Sequence, residues 1–258
     1  MSSSRVGLYP VEPRNRGASL IRNAVGFVSI AIAASLPMSL HAQSTNFSGT
    51  VSLSSQLVDR GLAITPVTPV FQASGSWTSP SGWSLGVSGG TDFDRPGKVT
   101  DALAQASHYW SLSSDWQMQA SLLYYNYSSN ARSLTFDRAE TGVSWIYRDI
   151  LTFGLSATSL TGANSHQPRG AADLDIHWPL PGNFSVSAGL GVAQTLISPY
   201  NYYGDGQVSV YRYGHAGLMW GYGAWRIELD RIIISPGTHE QWGNQLPAPW
   251  VATISWSF

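Results

Sequence analysis

The sequence predicts an all-β fold, a transmembrane antiparallel up-and-down β-barrel of twelve strands, and three observations predict it. Short segments from Asn46 onward alternate apolar and polar residues with the period of two that a strand with two unlike faces requires. The connections between them alternate short and long along the whole chain, which puts tight turns at one rim and loops at the other. Nine of the eleven tryptophans lie beside the short connections or at the end of the last strand, the level at which amphipathic rings sit among lipid headgroups.

The segments run Asn46–Asp59, Val70–Thr78, Trp83–Asp92, Ala102–Leu112, Trp116–Tyr127, Phe136–Tyr147, Leu151–Leu160, Ala172–Trp178, Phe184–Thr195, Val208–Trp220, Trp225–Ile234 and Trp250–Phe258. Short connections are Ser79 to Gly82, Ser113 to Asp115, Arg148 to Ile150, Pro179 to Asn183 and Gly221 to Ala224. The longer ones, Arg60–Pro69, Phe93–Asp101, Ser128–Thr135, Thr161–Ala171, Leu196–Gln207 and Ser235–Pro249, are rich in Gly, Pro and Asn and are expected outside, open to added protease. An even number of strands brings both ends of the barrel to the short-turn rim.

Parity follows from the rim aromatics, because successive side chains point to opposite faces. The girdle of Trp77, Trp83, Trp110, Trp116, Trp145, Trp178, Trp220 and Trp225 is expected at the periplasmic rim. On the lipid side it carries Leu85 and Val87, Met118 and Leu122, and Val186, Leu190 and Val192. The opposite parity gives a lumen of small polar residues: Ser48, Thr50, Ser52 and Ser54, then Gln72, Ser74 and Ser76, and Thr152, Gly154, Ser156 and Thr158. Two arginines fit this parity badly. Arg212 and Arg231 fall on the lipid face, roughly 20 Å and 15 Å above the girdle at about 3.3 Å per residue and about 40° of tilt. Arg212 is expected to reach outward to headgroup phosphates. Arg231 is expected to leave the lipid face through a bulge near Ile232–Ile234 or an early strand end.

Composition agrees with a surface that water does not cover. Charged residues make up 11% of the chain, against about 25% in typical soluble domains. The single Lys is Lys98. Mean hydropathy is −0.06, and no apolar run after residue 36 approaches the roughly 20 residues of a membrane-spanning helix. Residues 1–42 read as a cleaved signal peptide: Arg5, Arg14, Arg16 and Arg22 precede an apolar run from Ala24 to Leu36, and the region ends Leu40-His41-Ala42. Residues 43–258 are then the mature barrel, expected in the outer membrane of a Gram-negative bacterium. Removing the leader's four arginines and one glutamate from 14 basic and 15 acidic groups leaves 10 and 14, a net charge of about −4. Such a chain makes a poor nucleic-acid binder, which needs clustered Lys and Arg. With no Cys, disulfides and a lipid-modified cysteine are both excluded.

The last strand, Trp250 to Phe258, alternates to its final residue and ends Trp256-Ser257-Phe258. It looks like the terminal strand by which such barrels are recognised for assembly, with Trp256 and Phe258 as the signal. At the other end, the stretch from Phe47 through Asp59-Arg60-Gly61, followed by Thr65-Pro66 and by Trp77-Thr-Ser-Pro-Ser-Gly-Trp83, resembles the opening of a proteobacterial conserved hypothetical outer-membrane family of the Gcw_chp type. The close match covers roughly Asn46 to Asp92. The resemblance implies a small barrel that begins with a strand ending in an Arg-Gly turn, and it implies no activity.

Chemistry is sparse. A hydrolase needs a nucleophile whose base is oriented by a third group, in His-x-Ser form in the outer-membrane phospholipase. Neither His108-Tyr109-Trp110 nor His215-Ala216-Gly217 fits, and His239-Glu240 in the last long loop is an isolated pair. The alternation Asp173, Asp175, His177 offers carboxylates on one face, read as lumen lining rather than a metal site, so no metal and no cofactor are expected. Inward parity assigns Arg138, Glu140, Asp173, Asp175, His177, Arg226, Glu228 and Asp230 to the lumen, together with Arg148. Twelve strands about 4.8 Å apart close on a backbone radius of about 12 Å, leaving a narrow passage after side chains are placed. The expectation is a porin-like channel for small polar solutes, weakly cation-preferring. The alternative is a non-conducting structural or interaction barrel displaying loops such as Leu196–Gln207 with Tyr200, Tyr202 and Tyr203; an outer-membrane hydrolase is a third. Expected partners are outer-membrane lipid and lipopolysaccharide, the barrel assembly machinery and small polar solutes.

Overall fold

A computed structural model describes residues 46–97, 99–126, 137–161, 167–196, 209–235 and 246–258. Twelve strands close into one antiparallel barrel: β1 (Asn46–Ser54), β4 (Val70–Thr78), β5 (Trp83–Asp92), β6 (Val99–Ser111), β7 (Trp116–Asn126), β8 (Arg138–Tyr147), β9 (Leu151–Leu160), β10 (Arg169–Leu180), β11 (Phe184–Gln194), β12 (Val210–Tyr222), β13 (Trp225–Ile234) and β14 (Trp250–Ser257). A two-stranded hairpin of β2 (Val58–Asp59) and β3 (Leu62–Ala63) stands apart from the wall. Each barrel strand pairs with its neighbours in sequence, and β1 pairs with β14 to close the ring. Closure leaves no unpaired edge, which a membrane interior does not tolerate. Among the described residues no helix is long and apolar enough to cross a membrane.

The turns explain the tight rim. Arg148 (φ 49°) and Asp149 (φ 57°) form a two-residue turn of the mirror-image type that matches the twist of paired strands. Arg148 was expected in the lumen; instead it sits outside it on the short-turn rim. There its Nε and Nη2 donate to Asp115 of the neighbouring turn at 2.8 and 3.1 Å. The hydrogen bonds from Arg148 hold the Asp115 carboxyl below the usual carboxylate range. One residue earlier the strand ends, so parity no longer applies to it.

Outward residues are those a lipid-facing wall needs. Trp83, Leu85, Val87, Leu122, Phe184, Leu190, Leu218, Ile227 and Leu229 are exposed, while inward Ser84, Ser107, Ser185 and Ser187 are buried. Among the described residues the tryptophans other than Trp250 gather on the outer face of the short-turn rim, where Trp225 is level with Trp256, and Trp83 and Trp110 flank His108 at 4.7 and 4.4 Å. The strand pairings of β12 with β13 and β13 with β14 run without a register shift, so the expected bulge at Ile232–Ile234 is absent. Arg231 remains on the outer face, level with Trp250 at the start of β14, and its guanidinium lies over that ring at 5.5 Å. The cation rests on an aromatic face near the long-loop rim, which lowers the cost of its exposure to lipid. Arg212 is outward and exposed as expected.

At the seam, Gly49 and Phe258 exchange backbone hydrogen bonds of 2.8 and 2.9 Å. The Phe258 ring covers Gly49 so closely that a Cβ there would lie 2.5 Å from it. Phe258 also packs on Trp256 at 4.9 Å. Deleting Phe258, or replacing Trp256 and Phe258 by Ala, is expected to deplete heat-modifiable barrel from isolated outer membranes. Amounts equal to wild type would contradict a role for this pair in closure.

Candidate functional site

The largest departure from expectation is the first long connection. Sequence reading carried the first strand to Asp59 and left Arg60–Pro69 outside. The chain instead leaves the wall after Ser54 and folds back into the barrel. Gln56 anchors the departure: its amide donates to the Thr65 carbonyl at 2.9 Å and accepts from the Ala248 N–H at 2.7 Å. Leu57 donates to Thr65 Oγ1 at 3.0 Å and Ile64 to the Leu57 carbonyl at 2.8 Å, closing the hairpin base. Its two-residue turn is Arg60 (φ 46°) and Gly61 (φ 77°). The physical cause of inward folding is the apolar content of Leu57-Val58 and Leu62-Ala63-Ile64. Leu57 and Ile64 are buried with Val70, while Leu62 packs against Ala171, Ala193 and Tyr211 of the wall. Water outside would expose those side chains at about 25 cal/mol per Å².

The turn crosses to the far wall and ends in a charge cluster. Arg60 donates through Nη2 to Glu140 Oε1 at 2.5 Å and to Ser156 Oγ at 2.9 Å, and through Nη1 to Glu140 Oε2 at 3.4 Å. Its Nε lies 3.9 Å from Asp173 Oδ2. Asp59, beside it, accepts from Arg138 Nη2 at 3.1 Å, and the same nitrogen is 3.8 Å from Glu140 Oε2. Arg138 is 1% exposed and stacks beneath Tyr125, 4.0 Å from the ring centroid. Thr158 donates to Glu140 at 3.2 Å. Tyr213 donates to Asp173 across β11, a contact that Gly191 permits because a side chain there would strike both. A buried guanidinium is tolerated when paired and hydrogen-bonded, and this network supplies both conditions twice.

Of the residues assigned to the lumen by parity, Arg138, Glu140 and Asp173 are brought together here. Asp175 lies next to them along β10, and its carboxylate and the His215 ring both occupy the space over Gly189. Arg226, Glu228, Asp230 and His177 face inward nearer the short-turn rim, where Ser187 donates to Asp230 at 3.4 Å. Asp59, expected as the last residue of the first strand, and Arg60, expected at the start of an outside loop, were not among the residues assigned to the lumen. Sequence reading also missed Asp92 and Asp101, buried at the ends of β5 and β6 beside a register shift at Gly90/Thr91. His239-Glu240, the tyrosines of Leu196–Gln207 and residues 1–42, expected as a leader, lie outside the described residues. Among the described residues no group of three His, Cys, Asp or Glu is placed to hold a metal ion.

Directly beneath the hairpin lies a cavity of about 110 Å³, roofed by Arg60 and Glu140 and walled by Ser121, Ser144, Thr152, Asp173, Asp175 and His215. That is room for several waters or one small polar solute. The lumen is therefore narrowed by a hairpin whose tip is held to the opposite wall by charge, above a chamber whose lining mixes hydroxyls and carboxylates with Leu123, Tyr125 and Tyr213.

No family model matches the sequence, and no curated protein matches it. Among solved structures, the chain is similar to the NanC porin, with a TM-score of 0.51 and 12% identity over 83% of this chain and 99% of that one. It is also similar to the KdgM porin, with a TM-score of 0.51 and 10% identity over 82% and 98%. At these identities the likeness is one of fold, a β-barrel of similar size.

Proposed function

We propose that this barrel is a narrow porin-like channel for small polar solutes in the outer membrane of a Gram-negative bacterium, weakly cation-preferring, with the Arg60 hairpin as its constriction. The observation that carries the reading is the make-up of the lumen. Much of its wall is Ser, Thr and Gly, with buried Leu103, Leu123, Tyr125 and Tyr211 among them, and hydroxyl pairs such as Ser48–Ser76 at 2.7 Å and Thr50–Ser257 at 3.0 Å cover it even where no charge needs a partner. A barrel filled for rigidity alone is served by interlocking apolar side chains; a hydroxylated wall is served by water. The fold shared with proteins described as porins supports this reading. Carboxylates such as Asp175, Glu228 and Asp230 below the hairpin give cations the advantage. In the mature protein the short turns face the periplasm, the girdle and Arg231 contact lipid and lipopolysaccharide, and the assembly machinery reads Trp256 and Phe258.

The test is planar-bilayer recording of refolded protein. Discrete conductance steps in potassium chloride, with a reversal potential of the sign for cation selectivity under a salt gradient, are expected. Silence across salts would remove the channel. It would leave the second reading, a closed barrel that presents its loops to a partner, which the ordered Arg60–Glu140 and Arg138–Asp59 pairs favour.

A further inference from the structure

The partners of Arg60 form a pocket that does not depend on Arg60. Glu140 and Ser156 stand on neighbouring β8 and β9, and Asp173 on β10. Each carboxylate is oriented by groups of the wall itself: Glu140 by Thr158 and Arg138, Asp173 by Tyr213. The guanidinium that fills the pocket comes from elsewhere, on the tip of a turn that no barrel strand carries. It is gripped in the forked geometry by which carboxylates recognise a planar cation, with both Glu140 oxygens and a hydroxyl as acceptors. Arg60, Glu140 and Asp173 also border the cavity below, so the pocket opens onto the route a solute would take.

We propose that the Glu140–Ser156–Asp173 pocket is a recognition site for guanidinium-type cations, filled in the resting protein by the chain's own Arg60. A solute bearing a guanidinium or amidinium group competes with Arg60 for this site and frees the hairpin tip when it wins. The tethered arginine acts as a competitor at high local concentration, so an untethered cation binds the wild-type protein more weakly than a variant lacking Arg60. The inference rests on the channel reading for the solute's arrival, and its chemistry stands without it.

Guanidinium chloride at millimolar, non-denaturing concentration is the probe, with potassium chloride at equal ionic strength as reference. The variants are Arg60→Gln, and Arg60→Ala should the first fail to fold, each alone and combined with Glu140→Gln. Guanidinium is expected to raise the temperature at which the Arg60→Gln barrel loses its compact electrophoretic form, with half-effect at a concentration about tenfold below that for wild type. Adding Glu140→Gln is expected to remove the effect. In bilayers, guanidinium should block the Arg60→Gln channel over the same range. Equal responses with and without Glu140→Gln, or no response of the single variant, would overturn the site. A thermal shift in proteins that pass no current would sustain the site and reject the channel.

Discussion

Replacing Arg138 by Met is expected to lower the unfolding free energy of the refolded barrel by about 3–5 kcal/mol, the cost of leaving buried charge uncompensated. Arg138 is 1% exposed, and Asp59 and Glu140 both lie within 4 Å of one of its nitrogens. Methionine fills much of the volume beneath Tyr125, so the loss is electrostatic rather than a cavity. Neutralising Asp59 together with the arginine should therefore restore most of it, because Glu140 keeps Arg60 as its partner. The double variant Arg138→Met, Asp59→Asn is expected to be more stable than Arg138→Met alone, a coupling only residues in one network show. Urea unfolding in lipid vesicles reads both values. A single variant within about 0.5 kcal/mol of wild type would mean that water, not protein, solvates this guanidinium.

What was legible in the sequence was everything that a period of two determines. Once Trp145 is placed at the rim on the lipid side, Glu140 and Arg138 must face inward, and they do. The same count from Trp178 turns Asp173 and Asp175 inward, and from Trp225 it turns Glu228 and Asp230 inward. Strand number, ring closure and tight turns follow from connection lengths for the same reason: each is a local property repeated along the chain. The hairpin at Arg60 was not legible in this way, because its direction depends on what stands across the lumen. Asp59-Arg60-Gly61 signals a turn, but only Glu140, 80 positions away, and the apolar bed around Tyr211 make the inside more favourable than the outside. The available signal was Leu57-Val58 and Leu62-Ala63-Ile64, too apolar for a loop in water. Arg231 failed for the opposite reason. Burial costs suggested a bulge, whereas a cross-strand neighbour, Trp250, made the regular register tolerable.

Replacing Gly61 by Val is expected to raise single-channel conductance severalfold while the twelve-stranded ring stays closed. Two costs fall on the hairpin, and neither touches the pairing of the wall strands. The φ of 77° at Gly61 is a left-handed conformation that costs an L residue about 1–2 kcal/mol, more for a β-branched one. A Cβ at that position would also lie 2.6 Å from the Cβ of Tyr213, a wall side chain pinned by its bond to Asp173. Relief requires the tip to withdraw, and withdrawal breaks the contacts of Arg60 with Glu140 and Ser156. The constriction is then lost while the pairing of twelve strands is untouched. Gly97→Val separates strain from constriction: Gly97 has a φ of 90° in an exposed turn, and a Cβ there meets nothing within 4 Å. It carries the same backbone penalty away from the lumen and should leave conductance at the wild-type value. Bilayer recordings of the two variants side by side decide the matter. Equal conductance in Gly61→Val and wild type would show that the hairpin does not limit the passage, and a rise in Gly97→Val would show that strain anywhere in the loops is enough.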